Sequence, residues 1–109
     1  MATNGTIVVT GEEDIVAAVR AEIAAQPESE SQMSERRNLD GTVATWIVVA
    51  NMAITAIPHI LTFIKDQLAS RRVTHIKVGD LEIHNPSPHD LERFRALVAA
   101  RLEGGGGSQ

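Results

Sequence analysis

The sequence predicts a small α+β domain, one unit over residues 6–102 with the element order β-α-α-β-β-α and a three-stranded sheet. Three observations predict it. "TIVVT" (6–10) and "VTHIKVGDLEIHN" (73–85) are short β-branched runs bounded by turn residues. Segments near 13–26 and 88–102 repeat apolar residues at helical spacing. Between them, "GTVATWIVVANMAITAIPHILTFI", Gly41 to Ile64, carries no Asp, Glu, Lys or Arg. The 109 residues suit one domain, and 43% of them are hydrophobic. Aromatics make up only 3%, with 14 alanines, so the core is built from Ile, Val, Leu and Ala. Such a core favours close-packed helices over a β-sandwich.

Each element has a local reason. Residues 1–5 read as a disordered N-terminus, and Thr6–Thr10 as a buried strand. Thr10 with Glu13 reads as a capping box for a helix to about Gln26. Glu12, Glu13 and Asp14 suit its positive end, and Pro27 stops it. Ile15, Val16, Val19 and Ile23 share its inner face. "QPESESQMSERRNLD" (26–40) is polar and reads as a flexible loop ending on Asp40, an N-cap for the next helix. That helix is expected to reach about Ser70, with a kink near Pro58 and with Thr55 and Thr62 bonding nearby carbonyls. Gly79-Asp80 fits a type II′ hairpin turn. It opposes Val78 to Leu81, Lys77 to Glu82, Ile76 to Ile83 and His75 to His84. Ser87 caps the last helix, with Pro88 first and Asp90 third. Leu91, Phe94, Leu97, Val98 and Leu102 form its inner face. "GGGGSQ" completes a Gly-rich, linker-like tail over 103–109.

The uncharged stretch admits two readings. Its 24 residues exceed the roughly 20 needed to span a bilayer. The alternative is therefore a small membrane-anchored protein using Gly41–Ile64 as a single transmembrane span. Projected as a helix, however, Ala44, Asn51, Thr55, Pro58, Thr62, Lys65 and Ala69 form a narrow stripe, with His59 and Asp66 beside it. Trp46, Val49, Ala53, Ile57, Ile60 and Ile64 lie opposite. Without this segment, two pieces of about 40 residues would each lack a partner for their apolar faces. A buried central helix is the preferred reading. Any bare part of the Trp46–Ile64 side is the expected interaction surface, with the open strand edges beside it.

Composition excludes several functions. Net charge is −4, and the basic residues are not concentrated on one face, so nucleic acid is not an expected partner. No cysteine is present, which removes disulfides and thiolate metal sites and permits a cytoplasmic location. The N-terminus lacks the basic and apolar regions of a secretory signal. No nucleophile elbow or phosphate-binding glycine loop appears, so neither an enzyme nor a cofactor is expected. His75 and His84, cross-strand neighbours, are the candidate metal ligands. Glu82 is a poorer addition, and two solvent-facing imidazoles are the preferred reading.

The order of pieces resembles the effector-associated constant component domains of bacterial conflict systems. The matching pieces are "TIVVT", "EEDIVAAVRAEIAAQPE", "ATWIVVANMAITAIPHILTFIKDQLASRR", "VTHIKVGDLEIHN" and "DLERFRALVAARL". Asn51, Pro58, His59 and the short hairpin depart from the pattern. The resemblance implies a non-enzymatic adaptor that couples an effector to other components of a defence system. The implied partner is a protease-like effector or a signalling NTPase component; the apolar faces and open strand edges separately suit a homo-oligomer. No functional residues carry over from it.

Overall fold

The computed structural model describes residues 4–37 and 43–105. In chain order these form β1 (Asn4–Gly11), α1 (Glu13–Ala24), β2 (Glu30–Arg37), β3 (Val43–Ala53), a 3-10 turn (Ile54–Ala56), α2 (Ile57–Gln67), β4 (Val73–Val78), β5 (Leu81–His84) and α3 (Pro88–Gly105). The domain is α+β with three helices, and all strand pairs are antiparallel. The sheet has five strands in the order β2-β3-β1-β4-β5, which corrects the expected three strands and the expected element order.

Two corrections account for the difference. The predicted loop contains strand β2, and the predicted long helix begins as strand β3. Chemistry favours the strand at 43–53, because "VATWIVVANMA" is dense in Val, Ile, Thr and Trp. Helix begins only after the 3-10 turn. There Pro58 lies in the first turn, where a missing N–H breaks no helical bond, so the expected Pro58 kink inside a long helix does not arise. Thr62 Oγ1 does bond the Pro58 carbonyl, at 3.1 Å. No helix among the described residues is long and apolar enough to cross a membrane. The predicted Asp40 cap lies outside the described residues, as do residues 1–3 of the expected disordered N-terminus and 106–109 of the expected tail. Asn4 and Gly5 belong to β1, and α3 continues to Gly105.

The other termini follow local chemistry. Thr10 is a buried strand residue, and Glu12 occupies the α1 N-cap with no side-chain cap, so the predicted capping box is not made. The Glu12 carboxylate instead accepts from the Arg72 N–H at 3.4 Å, beside the entry to β4. Gly11 is required there, since a Cβ would sit 2.8 Å from the Arg72 carbonyl oxygen. At the far end of α1, the Ser29 hydroxyl donates to the Ile23 and Gln26 carbonyls, at 2.7 and 3.0 Å. The chain turns through Glu28 at φ 60° to enter β2. The hairpin register is as predicted, with Gly79 at φ +59° and Asp80 outside the positive-φ region, as a type II′ turn requires. Ser87 and Asp90 cap α3 reciprocally. The Asp90 N–H donates to Ser87 Oγ at 3.1 Å, and the Ser87 N–H donates to Asp90 Oδ2 at 3.2 Å.

Strand alternation divides the sheet into two unlike faces. One row of the inner face, Met33, Val48, Val9, Ile76 and Ile83, crosses all five strands, and Ser31, Ala50, Ile7, Val78 and Leu81 form the next. The helices pack on this face. α1 contributes Ile15, Val16, Val19 and Ile23, as predicted, and α2 contributes Ile57, Ile60, Leu61 and Ile64. α3 adds Leu91, Phe94 and Val98, whereas Leu97, predicted inward, is 53% exposed. Glu92 ties α3 to α2. One carboxylate oxygen accepts from Lys65 Nζ at 2.7 Å and the other from Arg95 at 2.8 Å.

Two expectations test this packing. Ile60→Ala removes a fully buried side chain and should lower unfolding free energy by about 2–5 kcal/mol in urea titration, while Val49→Ala on the outer face should lose less than about 1 kcal/mol. The second concerns pH. The Lys65 and Arg95 hydrogen bonds hold the Glu92 carboxyl down from 4.5 to about 2. A depressed folded-state value stabilises above the unfolded one and is lost as pH falls through the folded one. The difference in melting temperature between wild type and Glu92→Gln should therefore be full above pH 4.5 and shrink steadily toward pH 2.

Candidate functional site

The outer face of the sheet is the candidate site, because none of the three helices packs on it. It is built by the residues that alternate with the core rows. Gln32, Val49, Val8, Lys77 and Glu82 form one cross-sheet row, and Ser34, Ile47, Thr10, His75 and His84 form the next. Beyond the first row, Glu30, Asn51 and Thr6 continue the surface across β2, β3 and β1. Its centre is apolar, made of Val8, Ile47 and Val49. Val8 and Ile47 are half-buried, and Val49 is 43% exposed. Polar and charged side chains surround this centre. That gradation, apolar centre within a polar rim, is the anatomy of a protein contact surface.

The expected interaction residues do not share one face. Trp46 lies on the helix side, half-buried against the core, while Val49 and Ala53 lie on the outer face. Ile57, Ile60 and Ile64 are fully buried on α2. The helical projection that grouped all six applied one 3.6-residue period across a strand and a helix. It therefore missed Val8 and Ile47. Their signal was strand alternation: Ile47 and Val49 on one side of β3, with Val48, Ala50 and Met52 on the other.

The β4–β5 end of the face carries its titratable cluster. His75 and His84 oppose each other as predicted, with ring centroids 4.6 Å apart and planes 33° from parallel. Glu82, two residues before His84 on β5, places Oε1 2.9 Å from His75 Nε2 and 3.3 Å from His84 Nε2. The His75 hydrogen bond holds the Glu82 carboxyl below its ordinary value; desolvation opposes it, and attraction to His75, His84 and Lys77 adds to the lowering. Among the described residues, these three are the group whose ligand atoms converge, all within 4.8 Å. The remaining histidines stand apart. His59 meets Glu22 at 2.8 Å between α2 and α1, and His89 is exposed at the start of α3.

The edges of the sheet differ. β2 is the eight-residue edge on one side, and it carries Glu30 and Glu35, charges that discourage indiscriminate strand pairing. β5 is the short edge on the other, at four residues. No protein-family model, curated protein or solved structure matches this chain.

Proposed function

We propose that this chain is a non-enzymatic interaction domain that binds a protein partner across the outer face of its sheet. The observation that carries the reading is the apolar centre of Val8, Ile47 and Val49 on a face without a covering helix. Burying such a centre removes apolar area from water at about 25 cal/mol per Å². The surrounding Gln32, Asn51, Lys77 and Glu82 supply directional contacts that select the partner. The exposed backbone of β2 offers a second mode, in which a partner segment adds a strand. The resemblance supplies the partner class: a protease-like effector or a signalling NTPase component of a bacterial defence system, which the domain couples to other components from the cytoplasm. A second copy of the chain is the other occupant that this face suits, since two sheets pack face to face at about 10 Å.

The test uses Val49, whose exposure lets it change without opening the core. The tagged wild-type chain is co-expressed with a protease-like or NTPase protein encoded beside it, and the complex is recovered by affinity capture. Val49→Asp should abolish capture while leaving the melting temperature within a few degrees. Arg20→Asp, on the exposed side of α1, should leave capture unchanged. Sedimentation of the chain alone checks self-pairing, where the same substitution should dissociate any dimer. Undiminished capture and self-association in Val49→Asp would remove the outer face from the account.

A further inference from the structure

We infer that His75, Glu82 and His84 form a binding site for one divalent transition-metal ion of the zinc class. The donor set is two imidazoles and one carboxylate, which suits borderline ions such as Zn²⁺ and not the oxygen-seeking Mg²⁺ or Ca²⁺. Three protein ligands leave a fourth position for water or an incoming donor, the pattern of open zinc sites.

Geometry makes the set suitable. Zinc–nitrogen and zinc–oxygen bonds of about 2.0–2.2 Å in a tetrahedron separate neighbouring ligand atoms by roughly 3.3–3.6 Å. His84 Nε2 and Glu82 Oε1 already stand 3.3 Å apart. His75 Nε2 and Glu82 Oε1, at 2.9 Å, need to part by about half an ångström, within the reach of an exposed Glu side chain. All three ligand atoms fall within 4.8 Å. Metal on Nε2 takes the place of the His75–Glu82 hydrogen bond and requires each ring to carry its proton on Nδ1.

The backbone holds this arrangement in place. Gly79 and Asp80 fix the hairpin register, which opposes His75 to His84. β4 is paired on both sides, to β1 and β5, so His75 cannot slide. Two ligands at i and i+2 on β5 and one across the ladder on β4 share one face because side chains alternate along strands. Lys77 opposes Glu82 on the same face, and its positive charge works against the cation. The site is therefore a moderate-affinity surface site, distinct from a buried structural zinc.

The experiment is calorimetric titration of ZnCl₂ into chelator-treated full chain at pH 7.5, with MgCl₂ as the comparison. Imidazole nitrogen NMR of the same samples locates the ion. One Zn²⁺ per chain is expected, with no Mg²⁺ binding, and with His75 and His84 resonances moving while those of His59 and His89 stay fixed. His84→Ala should weaken binding by roughly tenfold or more, as should Glu82→Gln, and Lys77→Met should tighten it. Both ligand substitutions lie on the exposed edge strand, and unchanged circular dichroism verifies their folding. Zinc should raise the melting temperature of wild type and not of His84→Ala. Absence of stoichiometric zinc binding, undiminished affinity in both ligand variants, or shifts at His59 and His89 instead would each overturn the site and leave a simple hydrogen-bonded cluster.

Discussion

Everything in this domain depends on β3 pairing along both edges. It runs antiparallel to β2 on one side and to β1 on the other, with Val49 opposite Gln32 and Val8 in the same row. An interior strand has all its backbone polar groups taken up by neighbours, so it tolerates a long run without charged side chains. The pairing also fixes which side chains are buried. Val48, Ala50 and Met52 must face the helices, and Ile47, Val49 and Asn51 must face away. A shift of one residue would exchange the two sets, placing Asn51 in the core. The outer apolar centre is thus a consequence of register as well as of composition.

The helices complete one side only. α1 lies over β3 and β2, and α2 and α3 pack together, joined by Glu92 between Lys65 and Arg95. This leaves a sheet whose second face is covered by no helix among the described residues. The histidine cluster lies at the β5 end of that same free face, away from the apolar centre. The apolar centre of Val8, Ile47 and Val49 and the proposed metal site share no residue, and Glu82 belongs both to the polar surround and to the ligand set.

Legibility in the sequence followed how local each constraint was. The hairpin register, the Ser87–Asp90 cap and the α1 core face were readable because each depends on residues a few positions apart. β2 was not readable. Its inward positions are Ser31, Met33 and Glu35, and only Met33 is apolar, so alternation left almost no trace. β3 was misread because both of its faces carry apolar residues, which hides the two-residue period. Ile57, Ile60, Leu61 and Ile64 then supplied a true helical period that was extended backwards through it. Pro58 marked the actual start of α2. The His75–His84 opposition was visible from the turn, but the approach of Glu82 to both rings required side-chain geometry.

The measurement that bears most directly on this account is the pattern of proton–proton contacts for residues 43–53 in solution NMR. Interior-strand pairing predicts contacts from this segment to both 4–11 and 30–37, linking Val49 to Val8 and to Gln32, with slowly exchanging amides throughout. Successive i to i+3 contacts along 43–53, without cross-strand contacts, would show a helix there and remove both the sheet and the outer face built on it.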